Sequence, residues 1–329
     1  MLLFDKLAEN EYAARHQALA RKALRAYNMT DATLVLLRQH SPMMFDVRLP
    51  GAPAHRYLLR LCRATSDLRI PRRELLWLIA IRCNTNLVVP EPVLAQDGQL
   101  LRSVSHEGVS GARACLLLRW VDGFSVRAEI AVQHTHAIGR AIAQLHDHGA
   151  VYRWPTELTP PRLTPESVSE LGEAAMWRTV CTASELRPVR EALDVVAERM
   201  QDLGDDSSVA GVVHGNLHLR NIVFHENEPR LIDFRGCSWG YFAYDLSRMV
   251  SDLLSREQGP ALVDGLLAGY RSVRSLSEPA EAALGAFSFL HHVLRTRRML
   301  EDEERDEARI ARHGARMNRL AKQVIRDES

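Results

Sequence analysis

The sequence lacks any stretch approaching the ~18 consecutive apolar residues of a membrane-spanning helix, so no transmembrane segment is expected. It lacks a signal-peptide core, because Asp5, Glu9 and Glu11 interrupt the first turns. It lacks an excess of either charge. Its 42 Lys and Arg face 41 Asp and Glu, leaving +1, which argues against a dedicated nucleic-acid or membrane-surface protein. Its five cysteines (Cys62, Cys83, Cys115, Cys181, Cys237) are odd in number and scattered, with no CxxC pair. That excludes a disulfide framework and points to a reduced, cytoplasmic chain. There is no G-x-S-x-G elbow for a serine nucleophile and no internal repeat.

What is present is an ordinary globular composition, 46% hydrophobic and 25% charged, over 329 residues. At roughly 150 residues per domain, that length suggests two domains or lobes. Residues 4–27 carry apolar positions at helical spacing. ATLVLL (32–37), MMFDVRL (43–49) and RYLLRLC (56–62) read as strands, the last two joined through Pro50, Gly51 and Pro53. PRRELLWLIAIRC (71–83) reads as a helix with Pro71 in its first turn. VVPEPVLA, LLRSV and ACLLLRWVDG (114–123) supply further strands. After Asp122-Gly123 helices dominate. The first, 131–149, is expected to close on Gly149 as a C-cap; 185–203 and 243–328 follow. The mixed-charge end, EDEERDEARIARHGARMNRLAKQV, reads as a solvated helix face.

The chemistry concentrates in VVHGNLHLRNIVFHENEPRLIDF, residues 212–234. It reads as a strand, a tight polar loop, a second strand, a turn and a third strand ending in Asp233. The amide oxygen of Asn221 and the carboxylate of Asp233 are hard ligands of the kind Mg²⁺ accepts. His214, His218 and His225 do not suggest a transition-metal site, because an HxxxH pair needs a helix and this segment is loop between strands. His291 and His292 point about 100° apart on a helix, which excludes a shared ligand.

This block resembles the H-G-D-x-H-x-x-N and I-D-F/W signature of the aminoglycoside phosphotransferase and choline kinase family. The resemblance implies a two-lobe, protein-kinase-like α+β fold. A small β-rich lobe would span 1–121 and a larger helical lobe 122–329. It implies ATP and Mg²⁺ as cofactors, ATP and a hydroxyl-bearing small molecule as partners, and a nucleotide cleft between the lobes. By position, Asn221 and Asp233 would be the metal ligands and His214 a loop brace. Arg60 in RYLLRLC would be the phosphate-pairing cation, with Glu74 its partner. Leu118 to Val121, Trp120 among them, would line the adenine, and Ser41 with His40 would sit in the phosphate-covering loop. IGRAIAQLHDHG and WGYFAYDLSRMV resemble further family segments, with Asp245 a structural anchor. Asp252, Asp264 and Glu301, and the rings of Trp154, Trp239 and Tyr241, are the candidates for an acceptor pocket.

The sequence departs from the family at position 216, which is Asn where the family has its catalytic Asp. An amide cannot take a proton, but its oxygen can accept a hydrogen bond and orient the nucleophile. Asn216 is therefore expected to position the hydroxyl, with His218 the alternative base. The competing expectation is a nucleotide-binding pseudokinase with little or no turnover.

Overall fold

Alternation of side chains in MMFDVR puts Met43, Phe45 and Val47 on one face, and all three are buried. The computed structural model describes residues 2–38, 42–51, 55–63, 67–173, 177–178, 182–301 and 307–328. The chain divides into two units. The first comprises Met1–Gly123, Trp154–Leu158 and Arg230–Arg235; the second holds Phe124–Arg153, Thr159–Pro229 and Gly236–Ser329.

The first unit is an antiparallel sheet with two helices. Helix α1 (Leu2–Leu24) precedes strands β1 (Thr33–Arg38), β2 (Met43–Arg48) and β3 (Arg56–Leu61). Helix α2 (Arg69–Asn84) leads to β4 (Glu91–Val93), β5 (Arg102–Val104) and β6 (Arg113–Arg119). The strand order is β1-β2-β3-β6-β4, and β5 also pairs with β6. One face of this sheet packs Phe45, Leu59 and Leu117 with Leu19 and Leu24 of α1. Helix α2 buries Leu75, Trp77, Leu78 and Ile81, the expected 3–4 spacing of a core-facing stripe.

The second unit is mostly helical. It begins with α3 (Val132–Val151), α4 (Pro165–Leu171) and α5 (Ala183–Leu203). The start of α5 is a capping box: Thr182 Oγ1 accepts the Glu185 amide, and Glu185 Oε2 accepts the Thr182 amide at 2.9 Å. Strands β7 (Ala210–Val213), β8 (Ile222–His225), β9 (Glu228–Leu231) and β10 (Ser238–Tyr241) follow. Strand β7 pairs antiparallel with β10, Val213 opposite Ser238. Glu226 and Asn227 both adopt positive φ, the two-residue turn that joins β8 to β9. Helices α6 (Phe242–Leu254), α7 (Gly259–Arg271), α8 (Glu278–Ala282), α9 (Leu284–Leu300) and α10 (Glu307–Asp327) complete it. Among the described residues no helix is long and apolar enough to cross a membrane.

Two local expectations are corrected and a third is extended. Gly149 does not cap α3, which continues to Val151; a Cβ at Gly149 would lie 2.0 Å from the Val212 carbonyl oxygen. Gly149 is there because β7 passes against the helix backbone. The C-terminal helix has the expected solvated face and a buried one opposite it. Ile310, Met317, Ala321 and Val324 of α10 form a buried stripe packed toward α5 and α9. The strand before Asp233 stops at Leu231, and Asp233 itself has φ 66°.

Candidate active site

The loop 214–221 is held by its own backbone contacts. The buried carboxylate of Asp245, on the first turn of α6, accepts the His214 amide at 2.7 Å and the Gly215 amide at 2.8 Å. Gly215 has φ 72°, and a Cβ there would sit 2.1 Å from the Gly236 carbonyl oxygen, so only glycine fits. His214 Nδ1 accepts the Asn216 amide at 3.3 Å, and Asn221 Nδ2 donates to the Asn216 carbonyl at 3.0 Å. Because a carbonyl can only receive a proton, that bond sets the Asn221 amide with its nitrogen inward, leaving Oδ1 to a ligand. His218 Nδ1 accepts the Arg220 amide at 3.2 Å, so in the neutral ring Nε2 carries the proton and is a donor. Asp252 accepts the Leu219 amide at 3.0 Å.

Several histidines of the second unit are partly or wholly withdrawn from water. His146, fully buried on α3, meets Tyr270 Oη at 3.0 Å and Asp245 Oδ2 at 3.4 Å. Burial holds its pKa below the ordinary value even though Asp245 opposes the shift. His218 is pushed down to about 4 by burial and then by Arg248, with Asp252 opposing. His292, 2% exposed, is pushed down to about 3 by burial and then by Arg316 and Arg248, and His291 lies well below its ordinary value. All four are neutral in the folded protein at pH 7 and take protons more readily once unfolded. Their contribution is therefore complete above the unfolded value near 6.5 and is lost as pH falls below it, for His218 down to about 4. A ring protonated only in the unfolded state contributes a slope of up to about 1.4 kcal/mol per pH unit. Denaturant unfolding between pH 7 and 5 is expected to show a steep loss of stability; a flat profile contradicts neutral burial of these rings.

In the first unit the structure brings Arg60 and Glu74 together. Arg60 Nη1 donates to Glu74 Oε1 at 3.0 Å and Nη2 donates to Oε2. Both side chains are almost fully buried. Burial opposes the Arg60 charge, but the Glu74 carboxylate outweighs it, with a further contribution from Asp233. The Asp233 carboxylate is gripped by Arg235, whose Nη2 donates to Oδ2 at 2.6 Å and whose Nε donates to Oδ1. Positive φ at a non-glycine residue is a strained conformation that asparagine and aspartate tolerate best. Phe234 packs edge-on against Trp77, 5.4 Å between ring centroids. Trp120 carries the Arg56 guanidinium 3.5 Å above its ring, so one face of that indole is already covered. Ser41 and His40 lie outside the described residues.

The acceptor candidates separate sharply. A cavity of about 400 Å³ within the second unit is lined by Trp239, Tyr241, Tyr244, Phe287 and the backbone at Gly215 and Gly236, beside Asn216. Trp154 is not on it: its indole N–H donates to the Arg73 carbonyl at 3.1 Å in the first unit. Asp252, Asp264 and Glu301 are not on it either. Arg162 and Arg298 are, and Arg235 holds Asp233. Sequence reasoning missed all three. Arg235 was visible as the residue two beyond Asp233 but carried no partner until the carboxylate turned toward it. Arg162 and Arg298 stand far apart in the chain, and only folding brings both to one wall.

A β-sheet unit followed by a helical unit, with an H-G-N-x-H-x-x-N loop anchored by a buried aspartate, defines the class of kinase-like phosphotransferases. The phosphotransferase enzyme family model matches residues 36–287, and the chain belongs to that family. It is 28% identical over 228 residues to a homoserine kinase of Granulibacter bethesdensis, covering 66% of each chain. It is 29% identical over 235 residues to one of Mesorhizobium japonicum, covering 68% of each. The aligned stretch thus spans about two thirds of these relatives' length. A solved microcompartment-associated aminopropanol kinase superposes with a TM-score of 0.77 at 25% identity, covering 94% of this chain and 97% of that one. A spectinomycin phosphotransferase, solved with ADP and spectinomycin, shares the fold with a TM-score of 0.68 at 10% identity, covering 95% and 98%. The two-lobe kinase-like α+β fold is therefore that of its solved neighbours. Its relatives are ATP-using kinases of small-molecule hydroxyl groups.

Proposed function

We propose that this chain transfers the terminal phosphoryl group of ATP, bound with Mg²⁺, to a hydroxyl of a small molecule in the cytoplasm. The observation that carries the reading is the braced loop: Asn221 is fixed by the Asn216 carbonyl so that one hard oxygen is left to a ligand. Asn221 Oδ1 and the Asp233 carboxylate suit Mg²⁺, which prefers oxygen donors and fills its shell with phosphate and water. When bound, the ion neutralises charge on the transferring phosphates.

The chain's own residues supply the rest. Arg60, kept charged and oriented by Glu74, pairs with phosphate. Trp120 stands beside the adenine. Asn216 accepts a hydrogen bond from the acceptor hydroxyl and orients it. His218, whose ring has a pKa of about 4, is the alternative proton acceptor, through Nδ1 and at the expense of its bond from the Arg220 amide. Phosphoryl transfer runs through a loose transition state, so positioning and electrostatics supply most of the rate. Nothing among the relatives favours the pseudokinase alternative.

The test is calorimetry and thermal denaturation with Mg-ATP. At 100 times its dissociation constant, Mg-ATP is expected to stabilise the protein by about 2.7 kcal/mol. Asp233→Ala is expected to abolish the Mg²⁺ dependence while the chain still folds; unchanged Mg-ATP affinity in that variant removes Asp233 from the metal site.

A further inference from the structure

The cavity beside Asn216 has an unusual balance of charge for a site that would receive a cationic acceptor. No carboxylate is among its described lining residues, while two guanidinium groups are. Arg162 lies 4.1 Å over the Trp239 ring and 3.3 Å from Asp205 Oδ2. Both members of that ion pair are more than half exposed, so the pair is weak and Arg162 can exchange Asp205 for a ligand at little cost. No described acidic side chain pairs with Arg298, on α9. Both tyrosine hydroxyls of the wall are already engaged: Tyr241 donates to the Met200 carbonyl at 3.3 Å, and Tyr244 meets His291 Nδ1 at 3.0 Å. Ser167 Oγ donates to the Thr164 carbonyl at 2.9 Å. What remains to meet a polar ligand is the two arginines and the Ser238 hydroxyl, on a wall otherwise built from rings and aliphatic side chains.

Positive charge also stands behind that wall. Arg248, Arg295 and Arg298 all act on the His291 ring beyond Tyr244, and together with burial they keep it unprotonated. Asp252 opposes Arg248 and Asp245 acts on Tyr244, so that charge is partly offset, while the wall itself carries only the two guanidinium groups. A cation entering the cavity would meet repulsion and no carboxylate; an oxyanion would meet charge-assisted donors.

Resting on the phosphotransferase reading above, we propose that the acceptor is a hydroxyl compound carrying a carboxylate or comparable oxyanion. Arg162 and Arg298 receive the anionic group, and the apolar body lies against Trp239, Tyr244 and Phe287. Arg298 is thereby a specificity-determining residue. Amino alcohols and cationic sugars are the wrong charge for this cavity.

Three probes of one shape test this on the full chain: 4-(hydroxymethyl)benzoate, benzyl alcohol and 4-(aminomethyl)benzyl alcohol. The carboxylate probe is expected to raise Tm most and the ammonium probe least. Arg298→Gln is expected to weaken binding of the carboxylate probe by about 10- to 100-fold, the loss of hydrogen bonds to a charged group. The same change should leave the weak binding of benzyl alcohol unmoved, and Arg298→Lys should recover part of the loss. If the ammonium probe stabilises the protein as well as or better than the carboxylate, the proposal is overturned. It is equally overturned if neither Arg298→Gln nor Arg162→Gln weakens the carboxylate probe. Mg-ATP is measured in the same series without acceptor. A missing Mg-ATP shift counts against the phosphotransferase reading, whereas the ranking of the three probes decides the anionic cavity by itself.

Discussion

Asn216→Asp is expected to raise turnover on an accepted hydroxyl compound by up to about 10²- to 10⁴-fold, the usual contribution of a positioned general base. In barrier terms that is about 3–5 kcal/mol. The expectation rests on how little else the substitution changes. Position 216 is held by backbone contacts, the amide to His214 Nδ1 and the carbonyl to Asn221 Nδ2, and neither depends on the side chain. Carboxylate and amide are nearly isosteric, so the loop has no cause to move. Mg-ATP affinity should stay almost constant while kcat rises. Steady-state ADP release with and without acceptor is the measurement. A rise confined to a few-fold over substantial starting activity assigns proton removal to His218, and His218→Gln should then remove what activity the Asn216 protein has. No activity in either form, with nucleotide bound, would turn the reading toward the pseudokinase.

Glu74→Ala is expected to cost about 3–5 kcal/mol, a large part of the roughly 5–15 kcal/mol that holds a domain folded. The reason is the burial of both partners, with Arg60 and Glu74 at 3% and 1% exposure. Deleting the carboxylate strands a guanidinium in an apolar interior, where it has lost water and gained nothing. Replacing both together, Arg60→Met with Glu74→Leu, removes the stranded charge and should recover most of the stability while leaving nucleotide affinity low. Urea denaturation of the two singles and the double gives the coupling energy directly. A Glu74→Ala cost below about 1 kcal/mol would mean that water reaches the pair, as it does in surface ion pairs. The split between recovered stability and unrecovered affinity is what separates a merely structural pair from one that presents Arg60 to phosphate.

The strands and most helices were legible because their cause is local. Period-two alternation in MMFDVR and 3–4 spacing in RELLWLIAI are one-dimensional records of which face meets the core. The polar loop 214–221 was legible for a related reason. His214, Asn216, His218 and Asn221 are close in sequence, and a short loop between two strands cannot carry them far apart. Arg60 and Glu74 could be paired on paper because their strand and helix are consecutive in the chain and neither charge could be buried alone.

Other features belong to the tertiary structure. Gly149 has the composition of a helix cap and serves instead as a place where β7 can cross, because only the neighbouring backbone reveals that a Cβ would collide. Mixed charge at the C-terminus hid a buried stripe, since a helix with one apolar side and long basic side chains looks solvated in composition alone. Trp154 and Trp239 are indistinguishable as residue types, yet one spends its N–H on a first-unit carbonyl and the other lines the cavity. By itself the sequence determined the family, the order of the elements and the identity of the loop, because those follow from neighbours along the chain. The charge lining the cavity beside Asn216 was decided only by folding: Arg162, Trp239, Tyr244 and Arg298 come from separate segments, and electrostatic potential depends on distances in space.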